Sequence, residues 1–453
     1  MWYVIDMINA GALNIIKTLR DNGHQAVLAG GSVRDILLGI EPHDWDIATS
    51  ATPDQVEKIF PKTIAVGKSF GVMIVLIDDE KFEVATFRKD SSESDGRRPD
   101  SVEFCNMEED AKRRDFTING MFFDPIENKV IDFVGGQDDL KNGIVRFIGD
   151  PEERIKEDYL RMLRFARFEL RFSKKYPEQI SVGAILKNNH LIQNISQERI
   201  VQELFKILNI KKTFAAINFL YNLKLIKYII PEIESMINIK QPEQFHPEGD
   251  VWTHTLLVCD FLDKMNADPE LILAGLLHDI GKPSTQTFED RIRFNGHDKA
   301  GVEIATKICE RLKLSNDQTK RILWLIETHM WPMNVSKKRK SKLKMMMDNP
   351  YFEDLLKLHE ADCLASHVNL DNLNFMKEKY EEFKIEKGLP QPLINGGDLL
   401  DMGLTAGPLF GKILKIVREL QLDGVISTKE QAIEQAKGLI KDTNGTSNNK
   451  TTK

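Results

Sequence analysis

The chain has little cysteine, no excess of positive charge and no long apolar run. Its 453 residues include four cysteines without C-x-x-C spacing, which predicts reduced cysteines in a cytoplasmic protein and no disulfide framework. The formal net charge of −7 leaves only local basic patches for contact with nucleic acid. No apolar run approaches the roughly 20 residues that span a bilayer, so no membrane partner is expected.

A short apolar run ends in two glycines near the N-terminus. The residues QAVLA, 25–29, predict a strand, and Ser32 before VRDILL predicts a helix cap. A strand, a tight turn through Gly30 and Gly31 and a helix N-terminus present backbone N–H groups that can hold a phosphate. A plain turn is the alternative for a glycine pair considered alone.

Acidic side chains follow this turn. In HDWDIAT, strand alternation places Asp44 and Asp46 on one face, close together. Two neighbouring carboxylates repel each other unless a cation lies between them, so the pair predicts a divalent metal site rather than a solvated strand face. Glu83, in the alternating strand KFEVATFR, is expected to be either a third carboxylate of this site or a surface residue.

Side chains suited to phosphate and sugar occur in AKRRDFTINGM. Guanidinium groups such as that of Arg114 bind phosphate bidentately, and Asp115 and Asn119 accept hydrogen bonds from hydroxyls. A surface charge cluster is the alternative. The polar, glycine-broken stretch 89–100, with Arg97 and Arg98, predicts a linker or a loop that moves with the substrate.

Taken in order, GGSVRD, DWD, ATFR, the RRP loop and RRDFTING resemble the head of the class II tRNA nucleotidyltransferases, which comprise the CCA-adding enzymes and their bacterial poly(A) polymerase relatives. The resemblance continues through DFVGG, IGDP, EDYLR and SQERI. It implies that Asp44 and Asp46 hold two Mg²⁺ ions and that Gly31, Arg34 and Arg114 hold the nucleotide. Asp44, Asp46 and Glu83 are the candidate catalytic residues.

The stretch 154–172, RIKEDYLRMLRFARFELRF, is expected to select CTP and ATP among the nucleotides. It predicts one helix with Asp158, Arg161 and Arg164 on a shared face. Asp158 only accepts hydrogen bonds and Arg161 only donates them, so the pair fits the amino group and ring acceptor of cytosine or adenine. Uracil and guanine present the reverse order, at a cost of about 1–3 kcal/mol. A structural ion-pair ladder is the alternative.

The resemblance implies the same template role for this pair, with Arg164 and Arg167 also near the nucleotide. The candidate nucleotide-binding residues are Gly30, Gly31, Ser32, Arg34, Arg114, Asp115, Asn119, Asp158, Arg161, Arg164 and Arg167.

The C-terminal half contains a second set of motifs. Imidazole and carboxylate side chains recur in HPEGDVWTH, LLHDIGK and NGH and at His329 and Asp362, and both types suit divalent metals. Any one of them could be a buried structural histidine. Together they resemble the HD phosphohydrolase superfamily, which implies a divalent transition metal or Mg²⁺ at His254, His278, Asp279 and Asp362. Whether this domain hydrolyses phosphate esters or acts as a scaffold stays open.

These motifs predict an α+β fold, with a small mixed-sheet head of the polymerase beta type followed by helical domains. The expected parts are a nucleotidyltransferase head at 1–140, a helical RNA-binding neck at 141–238, an HD-type domain at 239–370, a helical tail at 371–441 and a disordered tail at 442–453. The basic run SKKRKSKLK, 336–344, predicts a solvated helix or an RNA contact.

The predicted function is template-independent addition of CCA to the 3′ end of tRNA, with CTP and ATP as donors. The Arg97–Arg98 loop argues against an enzyme that adds only CC, and SQERIVQE argues weakly against a poly(A) polymerase. An A-only enzyme stays open, as does the oligomeric state. In a different class of protein, the HD-type domain would be the enzyme and the head a nucleotide sensor, but the intact carboxylates and RRDF run argue against it.

Overall fold

The computed structural model describes residues 7–90, 102–174 and 176–447. It divides into two compact units, the first formed by Met1–Glu234 and Glu310–Leu314 and the second by Ser235–Cys309 and Ser315–Lys453. The Arg97–Arg98 loop lies outside the described residues, so the inference drawn from it stays a prediction. None of the described helices is long and apolar enough to cross a membrane.

The head is built on a mixed β-sheet. The strands of the first unit are β1 (Ala26–Ala29), β2 (Asp46–Thr49), β3 (Thr63–Gly67), β4 (Val72–Ile77), β5 (Glu80–Thr86), β6 (Arg88–Asp90), β7 (Val102–Phe104), β8 (Phe122–Asp124) and β9 (Lys129–Ile131). Among the described residues, the sheet order is β3-β4-β5-β2-β1-β8-β9, with β6 and β7 as a separate hairpin. Strands β2 and β5 are parallel, so the expected mixed sheet and the strand around Glu83 are confirmed.

Helices make up the rest of the first unit. They are α1 (Ala10–Asp21), α2 (Gly31–Leu37), α3 (Pro53–Ile59), α4 (Met107–Lys112), α5 (Gly136–Asn142), α6 (Pro151–Glu157), α7 (Arg161–Phe172), α8 (Gln179–Asn188), α9 (Gln197–Leu208), α10 (Thr213–Asn222) and α11 (Ile226–Ile229). The prediction of an α+β head followed by helices is therefore confirmed.

An aromatic cluster fixes α7 against the head. The ring centroid of Phe147 lies 4.7 Å from that of Phe116 and 5.8 Å from that of Phe165, and Phe116 lies 5.4 Å from Phe168. Each such pair contributes about 0.5–1.5 kcal/mol beyond its buried area. Since Phe165 and Phe168 belong to α7, the arginines on the same helix are held beside the head.

The prediction of a single helix over 154–172 is wrong. The chain leaves α6 at Asp158, which has φ −152° and ψ 105°, and resumes a helix at Arg161. Asp158 is therefore extended backbone between α6 and α7, and it does not share a helical face with Arg161 and Arg164.

The second unit is mainly helical. Its elements are α12 (Val251–Lys264), α13 (Pro269–Leu277), α14 (Lys282–Thr285), β10 (Thr287–Phe288), β11 (Ile292–Arg293), α15 (His297–Arg311), α16 (Asn316–Thr328), α17 (Lys340–Met347), α18 (Phe352–Ala365), α19 (Asp371–Ile385), α20 (Gly396–Asp401), α21 (Pro408–Leu422) and α22 (Lys429–Ser447). Because α22 continues to Ser447, the expected disordered tail does not begin at residue 442. Residues 448–453 lie outside the described part of the chain.

The basic run near residue 340 has acidic neighbours. Lys342 Nζ lies 2.6 Å from Glu419 Oε1, and Lys344 pairs with Glu386. The ammonium of Lys338 lies 4.9 Å from the centroid of the Trp331 ring. These contacts favour a solvated helix with surface ion pairs, and the alternative of an RNA contact stays a prediction.

Candidate active sites

The turn at the end of β1 requires glycine at its first position. Gly30 has φ 67°, and a Cβ atom there would lie 3.0 Å from Arg114 Nη1 and 3.6 Å from Asp46 Oδ2. A side chain would therefore be strained and would crowd both neighbours. The helix begins at Gly31 rather than after Ser32, and the Ser32 hydroxyl donates to the Ala29 carbonyl at 2.9 Å instead of capping the helix.

The three candidate catalytic carboxylates lie near this turn. Asp46 opens β2 and is the direct partner of Glu83 in the parallel β2–β5 pair, whereas Asp44 precedes the strand. Burial, followed by the charges of Glu83 and Asp44, raises the pKa of Asp46 to about 6 against the opposing effect of Arg114. Such crowding of like charges is what a bound cation would relieve.

The head carboxylates are more loosely grouped than a preformed metal cage. Among the described residues, the groups of at least three ligand side chains whose ligand atoms all lie within 4.8 Å of one another belong to the second unit. Asp44, Asp46 and Glu83 do not form such a group. Oxygen ligands of this type still suit Mg²⁺, which usually completes its coordination with water and substrate phosphates.

A buried aspartate that the sequence analysis did not single out holds Arg113 and Arg114. Asp110 is 1% exposed, and its two oxygens accept separately from the two guanidinium groups. Arg114 Nη2 lies 3.0 Å from Asp110 Oδ2, and its guanidinium carbon lies 5.0 Å from the Phe122 ring centroid. The spacing of three and four residues between Asp110, in the last turn of α4, and the two arginines that follow the helix was the available signal.

Replacing Asp110 with asparagine should weaken nucleotide binding. Asp110→Asn removes the charge and one acceptor, leaving Arg114 poorly oriented, and a charged hydrogen bond contributes about 1.5–3 kcal/mol. We expect KM for CTP and ATP to rise about tenfold or more, with a smaller change in kcat. Glu108→Gln, in an exposed ion pair on the same helix, is the matched control. An unchanged KM in Asp110→Asn would refute this positioning role.

A hydrogen-bonded network links α2 to α7 through the predicted residues. Arg34 Nη1 donates to Asn119 Oδ1 at 2.6 Å, and Asn119 Nδ2 donates to Asp115 Oδ1 at 3.0 Å. Asp115 Oδ2 accepts from Arg164 Nε at 2.8 Å. Burial opposes ionisation of Asp115, but Arg164 and Asn119 lower its pKa to about 2. Arg34 also pairs with Asp35. The structure therefore brings these predicted residues together as one network.

Asp158 and Arg161 have separate partners in the structure. Asp158 Oδ2 accepts from Arg199 Nη2 at 2.8 Å, whereas Arg161 Nη1 donates to Glu157 Oε2 at 2.6 Å. Arg161 Nη2 also donates to the Arg113 carbonyl, next to Arg114. Asp158 and Arg161 thus do not form an ion pair with each other. Arg199 orients Asp158, and Glu157 orients Arg161.

Arg167 is also held in place. Its Nε donates to the buried carboxylate of Glu203, and its guanidinium carbon lies 4.2 Å from the Phe168 ring centroid. Arg34 approaches the same ring at 5.4 Å. Arg167 therefore lies on the same side of α7 as the network.

The second unit brings all the predicted HD-type ligands together. Among the described residues, His254, His278 and Asp362 form one group of potential metal ligands. His254 Nε2 lies 3.0 Å from Asp362 Oδ1 and 3.7 Å from Asp279 Oδ2, and His278 Nε2 lies 3.2 Å from the same Asp279 oxygen. All but Asp362 are almost completely buried.

The geometry of these side chains fits a cation. His254 Nδ1 faces Glu248 Oε1 at 2.7 Å and His278 Nδ1 faces the Gly275 carbonyl at 2.7 Å, so each Nδ1 must carry the proton. In neutral rings, which a metal would require, the two Nε2 lone pairs would point at carboxylate oxygens. In the absence of a metal, burial opposes protonation of His254, but the Asp362 and Glu248 carboxylates raise its pKa to about 9. A divalent metal would satisfy these atoms, and Glu248 would orient His254 as an outer partner.

A cavity of about 360 Å³ adjoins this cluster. Asp279, Asp362 and His297 line it together with the basic side chains of Lys282, Arg291 and Arg293. Lys282 Nζ lies 2.6 Å from Asp279 Oδ2 and donates to Gln241 Oε1 at 2.7 Å. Cations next to a metal site suit an anionic substrate such as a phosphate ester.

The fold and these sites first define a class of protein. Residues 26–146 match the family model of the Poly A polymerase head domain, residues 178–237 match the probable RNA and SrmB-binding site of polymerase A, and residues 251–364 match the HD domain. The protein is therefore a polymerase-type nucleotidyltransferase that carries an HD domain.

Full-length relatives then identify the family. The CCA-adding enzyme of Ligilactobacillus salivarius (strain UCC118) is 34% identical over 442 residues, which cover 95% of this chain and 96% of the relative. That of Lactobacillus johnsonii (strain CNCM I-12250 / La1 / NCC 533) is 31% identical over 448 residues, with 94% and 96% covered. The Bacillus stearothermophilus CCA-adding enzyme in complex with CTP aligns with a TM-score of 0.69 at 26% identity, covering 97% of this chain and 98% of that chain.

The chain belongs to the family of CCA-adding enzymes. The predictions of a tRNA nucleotidyltransferase and of an HD domain are confirmed, and the head is an enzyme rather than a nucleotide sensor. A divalent metal fits both the family and the ligand groups of the second unit.

Proposed function

We propose that the head adds C, C and A from CTP and ATP to the 3′ end of tRNA, with Asp44 and Asp46 holding two Mg²⁺ ions. The observation that carries the proposal is the crowding of Asp46 by Glu83 and Asp44 beside the Gly30 turn and Arg114. The bound ions would activate the attacking 3′ hydroxyl and neutralise the charge that develops on the triphosphate. Arg34 and Arg114 would bind phosphate oxygens, and Asn119 would orient Arg34.

Base choice is assigned to Asp158 and Arg161. The amino group of cytosine or adenine would donate to Asp158, and the adjacent ring nitrogen would accept from Arg161. Arg199 and Glu157 would hold the two side chains apart, so that they face a base instead of each other. Arg164 and Arg167 would complete the nucleotide-binding wall along α7, where Asp115 and Glu203 hold them.

The reaction sequence can be tested with three tRNA substrates. tRNAs ending at the discriminator base, at C and at CC are each supplied with labelled CTP or ATP. We propose that CTP extends the first two and ATP the third, giving a complete CCA end. Addition of A alone to tRNA ending in CC would instead indicate an A-adding enzyme, and a long run of A would indicate a poly(A) polymerase.

The HD-type domain is proposed to hydrolyse phosphate esters at a metal held by His254, His278, Asp279 and Asp362. The cavity with Lys282, Arg291 and Arg293 beside these ligands favours this function over a scaffold role. A bound transition metal or Mg²⁺ would supply an activated water, and the basic side chains would hold the phosphate. The substrate class is a 2′,3′-cyclic phosphate or a small phosphomonoester.

Hydrolysis by the second unit should be independent of the head. We expect the full chain, supplied with Mn²⁺ or Ni²⁺, to hydrolyse a 2′,3′-cyclic nucleotide or p-nitrophenyl phosphate and His278→Ala to lose this activity. Asp46→Asn, with an inactive head, is the matched control and should keep it. Hydrolysis that survives in His278→Ala would refute the assignment, and no hydrolysis with either substrate would favour a scaffold.

A further inference from the structure

One histidine of the cavity has the opposite ring orientation to its neighbours. His246, His297 and His329 line the cavity, and each directs Nδ1 at an oxygen acceptor, at 2.9, 2.7 and 2.7 Å. Such an acceptor places the proton of a neutral ring on Nδ1 and leaves a lone pair on Nε2. His367 also lines the cavity, but its Nδ1 accepts the backbone N–H of Asn369 at 3.0 Å. The proton of the neutral His367 ring is therefore on Nε2, which makes Nε2 a hydrogen-bond donor.

The loop that carries His367 has a strained backbone. Val368 has φ 58°, a conformation that is rare for a β-branched residue, and its side chain is 61% exposed. Hydrogen bonds to the end of α18 hold this conformation. The Ser366 hydroxyl donates to the Asp362 carbonyl at 2.8 Å, and the N–H of residue 368 donates to the Cys363 carbonyl at 2.8 Å. Strain of this kind is concentrated at functional sites, and here it holds His367 at the cavity.

The cavity is buried at the proposed metal ligands and open at His367. Asp279 lines the cavity and is 1% exposed, and the adjacent His254 and His278 are 0% and 1% exposed. His367 is exposed. In phosphoryl transfer the attacking and leaving oxygens lie on opposite sides of the phosphorus. A water that attacks from the buried end would therefore expel the ester oxygen towards the open end, where His367 lies.

We propose that His367 stabilises the leaving oxygen of the phosphate ester by donating a hydrogen bond from Nε2. The inference rests on the proposed phosphohydrolase function and adds a residue that contacts the substrate. A bond forms between the water oxygen and phosphorus, and the bond from phosphorus to the ester oxygen breaks with its electron pair on the leaving oxygen. His367 keeps its single ring proton, since losing it would leave an anionic imidazolate. The proton released by the water reaches the leaving oxygen through solvent at the open end.

Basic side chains of the same cavity are the competing donors. Lys282 Nζ lies 2.6 Å from Asp279 Oδ2, so its charge is already paired. Arg293 Nη2 is likewise 2.7 Å from Asp290 Oδ1. Arg291 is exposed at the cavity and is the principal competitor. A fixed positive charge attracts the phosphate of every ester, whereas an imidazole N–H at the leaving oxygen matters most when that oxygen is strongly basic.

Esters that differ in the basicity of the leaving oxygen test the proposal. Phenyl phosphate and p-nitrophenyl phosphate carry the same phosphate group, but p-nitrophenolate is the weaker base and leaves without a donor. The full chain is supplied with Mn²⁺ and each ester, or with the methyl diesters of both phenols if it hydrolyses only diesters. We expect His367→Ala to lower kcat for the phenyl ester by about 10²-fold, the usual loss for one donor to a developing oxyanion. The p-nitrophenyl ester should be hydrolysed at nearly the original rate, which also shows that the variant is folded.

Further variants separate the competing donors. His367→Gln keeps an N–H donor near the position of Nε2 and should retain part of the rate with the phenyl ester. Arg291→Gln should raise KM for both esters alike, and His190→Ala, at an exposed histidine of the first unit, should change neither. The same change with both esters in His367→Ala, including no change, would overturn the proposal. No hydrolysis of any ester by the unaltered chain would overturn the phosphohydrolase function together with this inference.

The position of the ring proton can be measured without any activity. Nitrogen NMR of the full chain with isotope-labelled histidine rings, compared with the spectrum of His367→Gln, identifies the signals of His367. We expect a protonated Nε2 and an unprotonated Nδ1 in this ring. A proton on Nδ1 of His367 in the neutral ring would overturn its assignment as the donor.

Discussion

Asp46→Asn is expected to lower the rate of CCA addition by at least about 10³-fold. The substitution keeps the size of the side chain and removes the charge that would hold Mg²⁺. Metal ions stabilise the transition state of phosphoryl transfer by several kcal/mol, and each 1.4 kcal/mol corresponds to about a factor of ten in rate. The measurement is single-turnover incorporation of labelled CTP into tRNA ending at the discriminator base.

The folded state should tolerate this substitution. Burial and then Glu83 raise the pKa of Asp46 to about 6, above its ordinary value of 3.8. A carboxyl with a raised folded-state pKa favours folding while protonated and loses that contribution as the pH rises through about 6. At pH 7 the neutral asparagine should therefore leave the melting temperature unchanged or raise it.

A carboxylate outside the site provides the control. Asp79 is exposed in the β4–β5 turn with φ 68°, a conformation that asparagine also adopts, so Asp79→Asn should keep full activity. Retained CCA addition in Asp46→Asn would contradict the metal role. A lowered melting temperature in Asp46→Asn would instead indicate that activity is lost because the folded state is destabilised.

Asp158→Ala and Arg161→Ala are expected to relax base choice more than they weaken triphosphate binding. A correct pairing of this kind discriminates by about 1–3 kcal/mol, or about 5- to 150-fold. The ratio of kcat/KM for CTP or ATP to that for UTP or GTP should fall by this factor. The assay compares the four nucleotides on the same tRNA.

The separate partners of the two residues sharpen this test. Arg199→Gln should loosen Asp158 and reduce discrimination by a smaller factor, because its guanidinium orients the carboxylate at 2.8 Å. Lys156→Ala, exposed on α6, should change nothing. If UTP and GTP remain excluded in both Asp158→Ala and Arg161→Ala, another part of the protein selects the base.

Short-range patterns predicted the strands that carry the candidate catalytic carboxylates. Alternation in KFEVATFR placed Glu83 on β5, and its direct pairing with Asp46 required the parallel neighbour β2, which sequence alone does not specify. The helix break at Asp158 was missed because apolar residues continue at helical spacing through Leu160 and Leu163, with no glycine or proline at the break.

The choice of helix cap also depended on backbone geometry. Ser32 is a favourable capping residue, but Gly30 takes φ 67° and the helix starts one residue earlier than a serine cap would allow. In the second unit, the candidate metal ligands could be predicted from the sequence because they are histidines and aspartates. In the structure, His278 faces Asp279 Oδ2 and His297 faces Asp279 Oδ1. Which histidine faces which oxygen depends on contacts between residues far apart in the sequence, and the spacing of the motifs cannot show this.

The most direct test of the head mechanism is a crystal structure of the full chain with CTP and Mn²⁺. We expect anomalous scattering peaks between the carboxylates of Asp44 and Asp46. The cytosine amino group should lie within hydrogen-bonding distance of Asp158, and its ring nitrogen should face Arg161. Mn²⁺ bound away from both aspartates, or a cytosine that contacts neither Asp158 nor Arg161, would contradict the mechanism.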